Sequence, residues 1–227
     1  MTRKAVSRVL FVLMIVATLF SVLTPLESVR GQSMAPTLKS GQWLLVANYR
    51  LLRHTGLKPK QSDIVTFANA DKVPYLPPRR QLVKRVIGMP GDLIGINQTK
   101  VYRNSRPLKE PYVKHPMDNA KYQYDGRPDG GQPFTDPSYQ RSSYLRGGEY
   151  FVMGDNRPNS ADSRWFGPID RTQITGVVLA KLPIRRTGPA QNALWVLIHF
   201  LPMLLVVAWF LTACWPDLRT MLTRPRE

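Results

Sequence analysis

Leu82-Val83-Lys84-Arg85-Val86-Ile87-Gly88-Met89-Pro90-Gly91-Asp92 runs from an apolar stretch into a tight turn. As a strand, it places residues 82, 84 and 86 on one face, so Lys84 projects between Leu82 and Val86 and Arg85 between Val83 and Ile87. Apolar neighbours on both faces predict a largely buried strand. Burial disfavours an ammonium ion and lowers a lysine pKa. A lysine that serves as a base near neutrality must fall by roughly 2–3 units, a differential solvation of about 3–4 kcal/mol. The plainer alternative is a lysine whose head snorkels to water.

Outward from this run the periodicity remains that of strands. Residues 43–47, 63–67, 93–96, 150–153 and 176–180 are short β-prone runs bounded by Gly, Pro, Asn or Asp. Met89-Pro90-Gly91-Asp92 reads as a tight turn. The expectation is a mainly β domain, coiled or barrel-like, over residues 27–190, without repeats. Residues 103–149 are rich in Pro, Gly and Tyr and poor in apolar runs. They read as an insertion of loops with a hairpin, not as a second core.

Two apolar stretches flank this domain. Residues 9–26 are apolar except for Thr18, Ser21, Thr24 and Pro25, and follow Arg3, Lys4 and Arg8. With no convincing pair of small residues for cleavage, they read as an uncleaved anchor behind a cytoplasmic tail of residues 1–8. Residues 193–215 carry no formal charge if His199 is neutral, with Trp195, Trp209 and Trp215 towards the ends and Pro202 inside. They read as a second membrane helix, with 216–227 as a second cytoplasmic tail. This topology places the β domain outside the cytoplasm, in a multi-pass protein of a bacterial-type inner membrane. The net charge is +17. Such a surface favours anionic partners, and the apolar ends point to the headgroups of a lipid bilayer and not to nucleic acid. The sole cysteine, Cys214, lies in the second apolar stretch and forms no internal disulfide.

Ser33 stands in Gly31-Gln32-Ser33-Met34-Ala35, just beyond the first apolar stretch. A serine hydroxyl needs a base before it is a useful nucleophile. The segment lacks the last glycine of a nucleophile elbow, and Pro36 follows where that elbow requires a helix. His54 and His115 sit in basic, loop-like sequence with no obvious carboxylate to orient them, and His199 lies in an apolar stretch. Lys84 is therefore the better base. Gly154-Asp155-Asn156-Arg157-Pro158-Asn159-Ser160-Ala161-Asp162-Ser163-Arg164 reads as a tight loop after a strand. Its Asp155, Asp162 and Arg164 are able to form a polar network, and Ser160 to hydrogen-bond a buried amine. No histidine, cysteine or carboxylate cluster has ligand spacing, so neither metal nor cofactor is expected.

Together these runs resemble the type I signal peptidases (leader peptidases). The likeness covers most of residues 31–96 and 148–169 and rests on Ser33-Met34-Ala35-Pro36-Thr37-Leu38, Asp63-Ile64-Val65, the run from Lys84 to Asp92, and the 154–164 loop. The resemblance implies a membrane-bound serine endopeptidase with Ser33 as nucleophile and Lys84 as general base. It implies Ser160 as the hydroxyl orienting the lysine, Arg85, Asp155, Asp162 and Arg164 as braces, and Met34 packed beside the nucleophile. It further implies signal-peptide-bearing preproteins as substrates, cut after small residues at −3 and −1. Some members carry a serine two residues before the nucleophile; here that residue is Gly31. Two rivals remain: a self-cleaving or conjugative-type Ser/Lys peptidase, and a non-enzymatic basic membrane protein in which Ser33 and Lys84 are far apart.

Overall fold

The computed structural model describes residues 2–68, 80–97, 100–115, 117, 141–185 and 188–213. Its strands, in chain order, are β1 (Leu26–Ser28), β2 (Gln42–Asn48), β3 (Ile64–Ala68), β4 (Gln81–Gly88), β5 (Leu93–Asn97), β6 (Lys100–Arg103), β7 (Arg106–Pro107), β8 (Arg141–Tyr144), β9 (Glu149–Met153), β10 (Ile169–Asp170) and β11 (Ile174–Arg185). Its helices are α1 (Arg3–Leu23), α2 (Tyr49–Leu52), α3 (Ser163–Phe166) and α4 (Pro189–Ala213). All six expected runs are strands: β2, β3, β4, β5, β9 and β11.

The larger sheet has seven antiparallel strands in the order β1-β2-β11-β3-β4-β9-β10, and a smaller one has four in the order β7-β6-β5-β8. β4 is central to the site. Its first half pairs with β3, Lys84 opposite Val65, while β9 joins only from Arg85 onward. The edge of residues 81–84 away from β3 therefore has no partner strand among the described residues. The sheet also curls back on itself. Glu27 on β1 and Gln81 on β4, separated by three strands in sheet order, meet through a 3.0 Å hydrogen bond.

Described residues of the stretch 103–149 pack into the domain. Val101, Met117 and Leu145 are buried with Ile87, Ile94, Ile96, Phe151 and Met153 in a second apolar cluster, with Leu108 and Tyr112 packed against it. The sequence hid this because its apolar residues come singly from β6, residue 117 and the approach to β9. Residues 118–140 lie outside the described set.

The first apolar stretch forms one helix, but with shifted bounds. It begins at Arg3, so the basic residues sit within it, and it ends at Leu23 where residue 26 was expected. Pro25 explains the stop, since the residue before a proline is pushed out of the α region. Thr24 takes up the carbonyl of Phe20 through both its backbone N–H and its hydroxyl. Two residues later the chain is already paired in β1, with Leu26 opposite Leu45. Lys4–Leu23 is long and apolar enough to cross a membrane. The C-terminal helix qualifies only if its halves, Pro189–Ile198 and Phe200–Ala213, are taken together across a 53° bend near Pro202. Residues 214 and 215 of the expected span and the tail 216–227 lie outside the described set.

Candidate active site

Ser33 sits on the turn that leads from β1 towards β2. Gly31 takes a φ of +88°, which a side chain disfavours. Met34 then turns inward and is buried with Val29, Leu38, Leu44 and Val46. That apolar anchor fixes the turn from below. From the other side the 154–164 loop holds it: Asn156 donates its backbone N–H to Ser33 O at 3.0 Å and its side-chain amide to Gln32 O at 3.1 Å. Ser33 itself is only half-buried.

Lys84 arrives from β4, and 3% of it is exposed. Its Nζ donates to Ser33 Oγ at 2.8 Å and to Val83 O at 3.0 Å. Desolvation lowers its pKa to about 8; Asp162 and Asp155 pull it upward and Arg164 pulls it down. Each of those carboxylates is itself engaged by an arginine. Arg85 forks onto Asp155 at 2.8 and 2.6 Å, and Arg164 onto Asp162 at 2.8 and 2.8 Å. Burial works to raise the Asp162 carboxyl, but Arg164 and the Gly154 N–H outweigh it and hold it below the usual range. With both acids so paired, their field at Lys84 is too weak to undo the desolvation.

The sequence-predicted residues thus converge: Ser33, Met34, Lys84, Arg85, Asp155, Asp162 and Arg164 form one connected site. Ser160 is also buried there, but no hydrogen bond joins its hydroxyl to Lys84. It lies instead against Gly154, where an added Cβ would stand 2.2 Å from Ser160 Oγ. His54 bonds Arg53 and makes no contact with Ser33. A non-enzymatic reading needed Ser33 and Lys84 far apart; they are hydrogen-bonded.

Some members of the site were missed. Glu110 forks onto Arg157 at 2.9 and 2.5 Å, and the Arg157 side chain is 1% exposed. Tyr112 donates to Glu110 at 3.1 Å, and its ring lies 4.0 Å beneath the Arg85 guanidinium. Glu110 and Tyr112, in a stretch given no role from sequence, therefore support the bracing arginines from outside. The available signal was Glu110-Pro111-Tyr112, an acid and an aromatic in an otherwise basic segment. Asn156 and Gly154 carried only a turn signal.

A groove of about 700 Å³ leads to Ser33, walled by residues 26–34 on one side and 80–84 on the other, with Asn159 and Ala161 at its end. Its walls are the β1 segment and the edge of β4 that has no partner strand among the described residues. It is open to an extended chain and sits directly beyond the end of α1. Among the described residues no group of three or more His, Cys, Asp or Glu is placed to hold a metal ion.

Residues 2–182 match the family described as signal peptidase, peptidase S26. The chain belongs to this family. Signal peptidase I V of Bacillus subtilis (strain 168) is 37% identical over 150 residues, covering 66% of this chain and 80% of that protein. Signal peptidase IB of Staphylococcus aureus (strain COL) is 34% identical over 174 residues, covering 75% of this chain and 82% of that protein. A crystal structure of a signal peptidase I from Enterococcus faecalis V583 matches 53% of this chain and 97% of that chain, at 28% identity and a TM-score of 0.38. Family membership accounts for the Ser-Met-x-Pro-Thr-Leu segment and the Gly-Asp-Asn loop occurring in one chain.

Proposed function

We propose that this chain is a membrane-bound serine endopeptidase that removes N-terminal signal peptides from exported preproteins, using a Ser33/Lys84 dyad. The observation that carries the reading is the 2.8 Å contact between a buried lysine and a half-buried serine at the end of an open groove. In its neutral form Lys84 accepts the Ser33 proton along that line, and Ser33 Oγ attacks the scissile carbonyl. Lys84 then protonates the leaving amine, and a water activated by the same lysine clears the acyl-enzyme. The Ser33 backbone N–H has no acceptor among the described residues, which leaves it as an oxyanion donor. Arg85, Asp155, Asp162 and Arg164 set the lysine's field, and Ser160 packs the loop that holds the serine turn. The substrate lies extended, pairing with the edge of residues 81–84 away from β3, and shallow apolar walls select small side chains at −1 and −3.

The test is cleavage of an alanine-x-alanine preprotein by the purified, detergent-solubilised chain. Because Lys84 acts as the neutral amine, kcat/KM is expected to rise with pH and level off above a midpoint near 8. A rate that is flat from pH 6 to 9, or one that falls across it, would remove Lys84 as the base.

The membrane topology belongs to the same proposal. α1 anchors the chain with its basic start inside, and α4 is a second, kinked span that returns the C-terminus to the cytoplasm. α4 packs along α1, with Phe11 and Trp209 ring centroids 5.6 Å apart. A C-terminal tag should be digested by protease only from the cytoplasmic face of vesicles; digestion from the opposite face would exclude the second span.

A further inference from the structure

The groove is not apolar throughout. At its membrane end, Glu27 of β1 reaches across to Gln81 of β4, whose Nε2 donates both to Glu27 Oε1 at 3.0 Å and to Thr175 Oγ1 at 2.9 Å. Thr175 in turn meets Thr66 Oγ1 at 2.9 Å, so the bridge is fixed to the sheet behind it. Glu27 is paired opposite Leu44, which is buried in the apolar cluster beneath Ser33. A carboxylate there is out of character with its surroundings, and burial pushes its pKa up, with Gln81 drawing it partly back. Glu27 is the one acid among the groove's described walls, and it also borders an adjoining cavity of about 510 Å³. Its second oxygen, Oε2, has no protein donor among the described residues.

The position along the groove follows from strand geometry. From Lys84 to Gln81 is three residues of β4, or about 10 Å of extended chain. A substrate strand paired to that edge, with its scissile carbonyl at Ser33, reaches the Glu27–Gln81 bridge about three residues before the cut.

We propose that Glu27 is a specificity-determining residue that accepts a hydrogen bond from a hydroxyl-bearing substrate side chain at −3 or −4. The inference deepens the proposed function and rests on its placement of the substrate. Gln81, held by Thr175, keeps one carboxylate oxygen engaged and presents the other to the incoming chain. A substrate hydroxyl satisfies that oxygen, whereas an apolar group of the same shape strips its water and gives nothing back.

Threonine and valine, equal in shape, isolate this term. The purified full chain should cleave peptides with threonine at −3 or −4 about fivefold better than the valine counterparts at one of the two positions. Glu27→Leu should reverse the preference, and the isosteric Glu27→Gln should narrow it, so the inference does not hang on one variant folding. The same threonine/valine ratio, read as peptide affinity to Ser33→Ala protein by fluorescence anisotropy, does not depend on catalysis. If cleavage proceeds but the ratio is the same with and without the Glu27 carboxylate at both positions, the inference falls and the peptidase reading stands. If no peptide is cut yet the affinity ratio reverses in Glu27→Leu, the inference stands and the peptidase reading falls.

Discussion

Lys84→Met is expected to lower cleavage of an alanine-x-alanine preprotein by about 10³-fold or more, because it removes the proton acceptor and keeps the side-chain stem. Ser33→Ala should do the same. What separates chemistry from unfolding is the effect on stability, which runs the other way for Lys84→Met. The lysine pKa falls from 10.5 to about 8 through desolvation. Below pH 8 the amine is charged in both folded and unfolded chains, and burying it costs about 3 kcal/mol, a deficit that fades as pH rises from about 8 to 10.5. Methionine carries no such deficit, so at pH 7 the inactive variant should unfold at the same temperature as wild type or higher. A folded Lys84→Met protein with full activity would mean that another group takes the serine proton. Loss of activity with a lowered unfolding temperature would mean that Lys84 is structural.

This opposition between stability and activity is why the site was legible in the sequence. A lysine inside Leu82-Val83-Lys84-Arg85-Val86-Ile87 breaks the local rule that buried strands are apolar, and such breaks mark function. The strands around it were legible for the complementary reason: their short β-prone runs and flanking turn residues agree with the fold they adopt, a sheet buried on both faces. Less legible were contacts that depend on tertiary approach. Nothing at the sequence level says that Glu27 and Gln81, 54 residues apart, meet across a groove, since that follows from the curl of a sheet whose order is not the chain order. Glu110 and Tyr112 belong to a stretch whose composition reads as loop, and their role appears only once Arg157 and Arg85 are seen to need partners. The C-terminal helix shows the converse limit. Composition alone marks residues 193–215 as apolar, but the 53° bend between the halves of the helix, near Pro202, shows only in the structure.

Gly154→Ala should be the most damaging substitution outside the dyad, although it touches no reacting atom. Gly154 does not take a positive φ, so it is needed for room and not for conformation. An added Cβ would stand 2.2 Å from Ser160 Oγ and 2.4 Å from the Ser33 carbonyl oxygen. Ser160 is able to rotate away; the Ser33 carbonyl is backbone, and it is already held by Asn156 N–H at 3.0 Å. Relief therefore requires the 31–38 turn and the 154–164 loop to separate, and Ser33 Oγ travels with the turn while Lys84 stays on β4. A shift of about 1 Å at a reacting pair costs on the order of 10²-fold in rate, and overpacking of this kind destabilises by about 1–3 kcal/mol. The expected result is a folded protein with kcat down about 100-fold and KM little changed, since the groove walls at residues 26–28 and 80–83 are untouched. The midpoint of its pH profile should stay near that of wild type, because the lysine keeps its burial and its paired acids. A Gly154→Ala protein with wild-type kcat would show that the Asn156 clamp does not position Ser33, and the account of how this loop serves the dyad would fail with it.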